Sequence, residues 1–343
     1  MTPATPSTRP ALPGWLSRNL GPLGGLLALI AFPFVVAALS GDSPVAVLTN
    51  ESGNAKFYQG LFIEVFILAI YALSYDLVLG VTGLLSFGHA LFFGMGAYAT
   101  GILIKSFGWE LGPTIVAVIG IGVTQALAVG VVLPRVKGVT FALVTLGMAS
   151  VFHIVVQTHE LSPWTGGDVG LQGLVPPAIL NPNADRLRFY LVSLAVMVLA
   201  WLAYKRFVDS PTGRVCNAIR ENEGRALMLG YNTFVFKLIA LTIASVTAAL
   251  AGSLHALYQP IVSPNVASLS FTVAALLMIL MGGVGTLTGA LFGALAYRLL
   301  AFFLDRWFGQ IADVLLGVVY IALVLFVPYG IVGTWRRRRG RGA

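Results

Sequence analysis

The chain has 343 residues, of which 57% are hydrophobic and only 10% are charged. Because a soluble domain carries about 25% charged residues, this composition excludes an ordinary globular protein and is typical of a polytopic membrane protein. A net charge of +8 would suggest a nucleic-acid partner for a soluble protein. Here it is typical of the Lys and Arg excess in cytoplasmic loops. The single cysteine, Cys216, excludes an intramolecular disulfide.

Repeated runs of roughly 20 apolar residues predict an all-α, polytopic membrane helical bundle with about 10 transmembrane segments and Gly-broken helices. The first run could also be a signal peptide, but we favour an uncleaved span. The pairs within 58–104 and 268–304 are joined by short Gly-rich turns, so either pair could be a re-entrant or broken helix instead of two full crossings. The ten segments lie at about 22–40, 58–80, 84–104, 113–133, 138–157, 189–205, 236–258, 268–282, 286–304 and 310–330.

The distribution of Lys and Arg predicts the orientation of the chain. With the N-terminus inside, 15 of the 21 Lys and Arg residues fall on the cytoplasmic side. Both termini are then cytoplasmic. The predicted organisation is a cytoplasmic N-terminal tail (1–21), a transmembrane domain (22–333) with a cytoplasmic loop at 206–235 and a periplasmic loop at 158–188, and a basic cytoplasmic tail (334–343).

The cytoplasmic loop contains the most informative segment of the chain, because charge returns there with helical spacing. Ser210-Pro211 is typical of a helix start and Gly230-Tyr231-Asn232 of a helix end. Such a helix could lie on lipid headgroups, but its polar face mixes both signs of charge, which favours docking into a protein groove. The apolar face is predicted to hold Val215, Ala218, Ile219, Ala226 and Leu229.

The sequence contains no Walker A motif, Gly-rich nucleotide loop or Cys/His metal cluster. If transport here uses ATP, another chain must hydrolyse it.

A second informative stretch, Ser74–Tyr98, combines several glycines with ionisable groups at membrane depth, which are functional candidates. Asp76 either anchors a break at Gly80–Gly83 or acts on the substrate. His89 is either an interhelical hydrogen-bonding group or a pathway group. The candidate translocation-pathway residues are Asp76, Thr82, Gly83, Ser86, His89 and Thr145.

Three further features leave alternatives open. The stretch Gly282–Tyr297 partly repeats the Gly/Thr break, and paired breaks in two halves of a chain can indicate a transporter's pathway. Arg298 and Asp313 lie on consecutive predicted spans and could pair. The outer-loop stretch Thr165–Gly173 is either a flexible turn or a docking surface for an extracytoplasmic partner.

Five separated motifs, in order, resemble the permease family of branched-chain amino acid ABC importers, the LivH/LivM type, and within it the LivM type. The resemblance extends over about 58–332. The motifs are Tyr75-Asp76-Leu77 through Ser86-Phe87-Gly88-His89-Ala90, Gly138-Val139-Thr140-Phe141 through Leu146, Thr165-Gly166-Gly167, Gly213-Arg214 through Gly230-Tyr231-Asn232, and Gly282-Gly283-Val284-Gly285-Thr286-Leu287.

The resemblance implies a permease subunit of an ATP-driven importer in the bacterial cytoplasmic (inner) membrane, and not an enzyme. Alternating access would move branched-chain or other hydrophobic amino acids. The implied partners are a second LivH-like permease, two cytoplasmic ABC ATPase subunits, an extracytoplasmic substrate-binding protein and the lipid bilayer, with no nucleic acid. This chain would hold no cofactor, because ATP would bind the partner subunits.

The resemblance also implies that the charged loop docks an ATPase, like the EAA loop of ABC permeases. The loop departs from that pattern because Glu223 is followed by Gly224-Arg225, so the contacts stay open. We expect a double charge reversal of Arg220 and Glu223 to leave the chain folded but to lose ATPase association. The implied docking residues are Ala218, Ile219, Arg220, Glu221, Asn222, Glu223, Leu229 and Gly230.

Three alternative functions stay open, one of which is a passive channel that would need no docking helix. A urea or short-amide importer would have similar motifs, although the stretch Phe271–Met281 reads closer to the amino acid branch. An ion-coupled secondary transporter, working alone, could use Asp76, His89 and Glu64 as coupling groups.

Overall fold

The computed structural model describes residues 14–41, 44–50, 53–326 and 330–334. The chain forms two compact units, Met1–Gly60 and Leu61–Ala343. Of the predicted N-terminal tail, residues 14–21 are described, and they belong to a helix rather than an extended tail. The predicted basic tail lies outside the described residues except for Thr334.

The described residues are almost entirely helical, as the sequence predicts. Two pairs of residues form the only strands in that part of the chain, and they are antiparallel, with Leu171 opposite Val262. The elements in chain order are α1 (Gly14–Leu39), α2 (Pro44–Leu48), α3 (Asn54–Tyr75), a π-helix (Asp76–Val81), α4 (Ala90–Lys105), α5 (Leu111–Gly130), α6 (Val139–Gln157), α7 (Ser162–Thr165), β1 (Leu171–Gln172), α8 (Arg186–Asp209), α9 (Pro211–Glu221), α10 (Glu223–Met228), α11 (Thr233–Tyr258), β2 (Ile261–Val262), α12 (Leu269–Gly282), α13 (Leu287–Phe308) and α14 (Ala312–Phe326).

Six of the described helical segments are long and apolar enough to cross a membrane, so the count of about ten crossings is not confirmed. They are Asn54–Val81, Leu111–Gly130, Val139–Gln157, Arg186–Asp209, Thr233–Tyr258 and Leu287–Ile311.

Two of the predicted crossings are short helices. At 1.5 Å per residue, α4 and α12 are roughly 24 and 21 Å long, less than the roughly 30 Å hydrocarbon core. The predicted segment 268–282 already had about this length, whereas 84–104 was predicted longer because the glycine break before α4 is itself apolar.

The centre of the larger unit is α11, which packs closely on α4 and α5 through small residues. A Cβ on Gly96 would overlap the backbone of Ala249, and one on Gly252 would overlap the Phe93 carbonyl. The Ser245 hydroxyl donates to the Gly122 carbonyl over 2.7 Å. Small residues and interhelical hydroxyl bonds of this kind hold membrane helices together, because lipid supplies no hydrophobic force between them.

Two glycine-containing breaks interrupt the paired segments that the sequence singles out. After α3 the helix widens into the π-helix and ends at Gly83, whose φ of +73° is a left-handed conformation. Between α12 and α13 the chain turns at Gly283 and Gly285, and Gly285 has a φ of +77°. Residues with side chains rarely adopt such angles, so the breaks are encoded locally.

The loop predicted at 158–188 is an ordered connection within the described residues. It contains three short 3-10 turns, α7 and β1, and β1 pairs with β2 after α11. Gly170 lies against the backbone of Val262 and Ser263, where no side chain would fit. This packing disagrees with the flexible-turn interpretation of Thr165–Gly173.

Candidate functional site

The two glycine breaks meet, and the charged segment α9–α10 reaches them. Gly80, in the π-helix, is so close to Gly285 that a Cβ on Gly80 would lie 2.5 Å from the Gly285 nitrogen. Arg220, near the end of α9, donates from Nη1 to the Gly80 carbonyl. Residues far apart in sequence therefore form one contact region, which we call the break junction (Asp76, Gly80, Arg220 and Gly285).

Asp76 anchors the junction from the membrane side. Its side chain is fully buried, and its Oδ1 accepts a 2.7 Å hydrogen bond from the Gly285 amide. The Arg220 guanidinium is near enough to attract this carboxylate. Among the described residues Oδ2 has no hydrogen-bond partner. Of the two roles considered for Asp76, the geometry favours the structural anchor of the break.

Arg220 joins α9 to both breaks. Its Cα and Cγ lie against Gly83, and its guanidinium fills the space where a side chain on Gly285 would stand. A π-helix leaves carbonyls poorly matched to the i−4 ladder, and such segments are frequent at functional sites. The guanidinium supplies the Gly80 carbonyl with a donor from outside its own helix.

Glu223 fastens α10 to α11. Its Oε1 accepts from the Lys237 ammonium at 2.6 Å and from the Thr233 hydroxyl at 3.0 Å. Partial burial by itself raises the pKa of this carboxyl, but Lys237, Thr233 and the nearby charge of Lys137 outweigh it and hold the pKa below its ordinary value. Glu223 is thus ionised and engaged within the chain.

The predicted single helix is two helices. Ser210 caps α9 by accepting from the Gly213 amide, as its position predicts, and Asn222 caps α10 by accepting from the Arg225 amide. Asn222 interrupts the helix because its extended backbone lets the side chain compete for amide groups. The predicted end at Gly230 is confirmed by its left-handed φ of +86°.

The α9 face that packs inward contains Cys216 and Ile219, which are buried. Burial raises the pKa of the Cys216 thiol to about 11, so this thiol is unreactive at neutral pH. Ile219 is therefore buried where direct docking was predicted, whereas Ala218, Glu221 and Asn222 are exposed.

An exposed apolar ridge lies at the end of α10 and in the turn after it. Leu229, which is one of the implied docking residues and was predicted on the apolar face, is 71% exposed directly after α10. Gly230 lies within the same exposed turn. The ridge consists of Leu227, Met228, Leu229 and Tyr231.

A polar cavity of about 240 Å³ lies between α9, the first break and the α5–α6 turn. Thr82 and Gly83 line it, together with Arg220 and the Glu223–Lys237 pair. Two of the six candidate pathway residues thus reach an open space.

Asp76 lies in the break junction, and the remaining three candidates are packed in the core. Ser86 is buried, and its carbonyl accepts from the Tyr75 hydroxyl at 2.9 Å. His89 bonds Ser74 over 2.8 Å among aromatic rings, which agrees with the interhelical bonding role. Thr145 is buried where its carbonyl meets Gly88. None of the three lines the cavity beside α9 in this conformation.

Sequence reasoning named Gly285 and Arg298 without the partners that the structure gives them, and it did not single out Lys237. Lys237 and Gly285 contribute to the site only through contacts with residues far away in sequence. Arg298 pairs with Glu64 of α3; the side chain of Asp313 lies outside the described residues, so the suggested Arg298–Asp313 pairing stays a prediction. The double charge reversal of Arg220 and Glu223 would break internal contacts as well, so it does not isolate docking.

The fold and site define a multi-pass membrane permease subunit. The family model "Branched-chain amino acid transport system / permease component" matches residues 57–327, and the chain belongs to this family. Family members are transport subunits and not enzymes.

The curated relatives confirm the predicted LivM-type resemblance. The chain is 26% identical to the high-affinity branched-chain amino acid transport permease LivM of Escherichia coli K12, over 94% of this chain and 77% of that protein. It is also 26% identical to the probable LivM of Methanocaldococcus jannaschii, over 77% of this chain and 89% of the relative. LivH of Escherichia coli K12 is 26% identical over 77% of this chain and 91% of its own length. No solved structure matches the chain.

Proposed function

We propose that this chain is one of two permease subunits of an ATP-driven importer of branched-chain or other hydrophobic amino acids. The observation that carries the proposal is the position of α9–α10, which holds Arg220 in the break junction and presents an apolar ridge outward. The branched-chain names of the relatives support this substrate class over urea. Matches to both LivM and LivH fit a pair of related permeases.

The ridge is the proposed docking surface for an ATPase subunit on the cytoplasmic side. Met228 and Leu229 are 84% and 71% exposed. Clustered apolar side chains at a surface are typical of an interaction site. The neighbouring Glu221 and Arg225 carry opposite charges on the exposed side, which suits a protein groove better than an anionic lipid surface.

The break junction is the proposed route by which ATPase movement reaches the membrane helices. Closure of the ATPase pair would move α9–α10, and Arg220 would carry that movement to Gly80 and to the α12–α13 break. A break can change its backbone angles at little cost because its glycines have few steric limits. Access would then alternate between the two sides of the membrane.

The docking proposal is tested with the chain co-expressed with its partner permease and ATPases. Leu229→Asp places a charge in the ridge and is expected to abolish co-purification of the ATPases and ATP-driven leucine uptake. The matched control is Val175→Asp, because Val175 is 75% exposed and lies in the loop predicted on the opposite side. Retained co-purification with Leu229→Asp would contradict docking at the ridge.

A further inference from the structure

A charged cluster that the break junction does not use joins α3, α13 and the end of α11. The Arg298 Nε donates to Glu64 Oε2 over 2.5 Å, and the Gln259 amide donates to Glu64 Oε1 over 3.1 Å. Tyr258 and Arg186 are near enough to take part in the same electrostatic network. The cluster therefore combines one carboxylate with cationic and amide donors.

The pair lies near the middle of both helices. Glu64 is ten residues from the start of α3, and Arg298 is ten residues from the end of α13, which is about 15 Å along each helix. Substrate sites of membrane transporters commonly lie near the bilayer midplane. Gln259, the residue directly after α11, donates to Glu64 from the end of that helix.

The pair is not fully covered by its own chain. The Glu64 and Arg298 side chains are 23% and 27% exposed. This exposure contrasts with the apolar stretch of the α3 span, which is 83% buried, the largest share among the six long helices. Leu68, one turn from Glu64, and Leu295, one turn from Arg298, are half-buried. Because ionised groups facing lipid are costly, such residues normally face a bundle interior or a water-filled cavity.

We propose that Glu64 and Arg298 form a transient subsite for the zwitterionic backbone of an α-amino acid during translocation. This inference rests on the proposed function and names the groups that recognise its substrate class. Arg298 binds the α-carboxylate through its planar guanidinium, and Glu64 binds the α-ammonium. Before binding and after release, Glu64 and Arg298 pair with each other. While the amino acid is bound, each of them pairs with one of its charged groups, so neither protein charge is unpaired in either state. Such an exchange favours weak binding, which transport requires because the substrate must also leave.

The experiment uses the complete complex in proteoliposomes, with Cys216→Ala providing a background free of cysteine in this chain. Leucine uptake by this parent complex is measured first, and absence of uptake there would count against the proposed function alone. Leu68→Cys and, separately, Leu295→Cys are then labelled with a charged, water-soluble thiol reagent. Val151→Cys is the control for an exposed helix surface outside the Glu64–Arg298 cluster, because Val151 lies on α6 and is 62% exposed.

We expect both test cysteines to be labelled and the control to be labelled far more slowly. Leucine at about ten times its Kd should slow labelling about tenfold. Leucinamide, which lacks the carboxylate, and isocaproate, which lacks the ammonium, should not protect. Protection by leucine should also disappear in Glu64→Gln/Arg298→Gln.

Three results would overturn the inference while leaving the importer intact. One is failure of the reagent to label either test cysteine in a complex that imports leucine. Another is equal protection by leucinamide or isocaproate. The third is undiminished leucine protection in the Glu64→Gln/Arg298→Gln double variant, which would make the pair purely structural.

Discussion

At the scale of single residues, Arg220 and Glu223 make contacts within the chain that a docking motif does not predict. Their charges suggest a surface for a partner, but Arg220 reaches the Gly80 carbonyl and Glu223 pairs with Lys237. The docking role implied for both residues stays a prediction, and the structure adds contacts within the chain that the sequence did not predict. The partners lie 140 and 14 positions away, and no local pattern specifies contacts at such separations.

Arg220→Ala is expected to uncouple transport without releasing the ATPases. The variant removes the donor of the Gly80 carbonyl but leaves the exposed ridge intact. ATP hydrolysis and leucine uptake are measured on the same proteoliposomes, and uptake per ATP should fall at least about tenfold, since losing a charged hydrogen bond costs about 1.5–3 kcal/mol. Arg214→Ala, on the exposed side of α9, is the control. An unchanged ratio of uptake to hydrolysis would refute the coupling role.

Glu223→Gln is expected to lower the folding stability modestly at neutral pH. It is also expected to remove the part of the pH dependence of stability that the Glu223 carboxyl contributes. The pKa of the Glu223 carboxyl is lower in the folded protein than in the unfolded chain, where it is about 4.3. The carboxylate therefore stabilises the fold when the pH is above the unfolded pKa, and this contribution is lost as the pH falls through the folded pKa. The partly exposed pair limits the effect to about 1 kcal/mol. Thermal midpoints of wild type and variant should therefore converge as the pH falls through the lowered pKa of the folded protein; a constant difference across pH would speak against the ion pair.

At the scale of elements, helix lengths and breaks decide which apolar runs can cross the membrane. The Gly-rich breaks after α3 and α12 were predicted because glycine tolerates left-handed backbone angles. The predicted segment 268–282 already had the short length of α12, whereas the break at Asn222 and the shortening of α4 to Ala90–Lys105 were not predicted. Asn222 caps α10 through the Arg225 amide, and the residue after it, Glu223, pairs with Lys237 of α11.

Gly96→Ala is expected to destabilise the α4–α11 packing by about 1–3 kcal/mol, the usual effect of overpacking. The added methyl group would overlap the Ala249 backbone, so the helices must separate. Gly120→Ala on α5 meets nothing within 4 Å and should be neutral or slightly stabilising. The thermal midpoints of the two purified variants give the comparison. Equal midpoints would show that close backbone approach at Gly96 does not limit stability.

At the scale of the whole molecule, the family and the apolar helices establish a multi-pass permease. The orientation predicted from Lys and Arg stays a prediction, and so does the cytoplasmic position of α9–α10. It follows from the tendency of cytoplasmic loops to retain positive charge during insertion. The proposed docking at the ridge depends on this orientation.

Met228→Cys is expected to react with a membrane-impermeant thiol reagent in inside-out vesicles and to stay unlabelled in right-side-out vesicles. Met228 is 84% exposed, whereas the native Cys216 is buried and adds little background. Val175→Cys should show the opposite pattern. Labelling of Met228→Cys from the right-side-out direction would reverse the predicted topology and the placement of the ATPases.

The sequence by itself determined the membrane class, the helical content, the glycine breaks and the caps at Ser210 and Gly230. These features depend on composition and on local backbone preferences, which act within one segment of the chain and need no tertiary contacts. Only the tertiary structure decided that the two breaks meet, that Arg220 joins them, and that Arg298 pairs with Glu64. A buried charge or carbonyl is satisfied by whichever group the packed helices bring near, and that group is fixed by the fold rather than by its position in the chain.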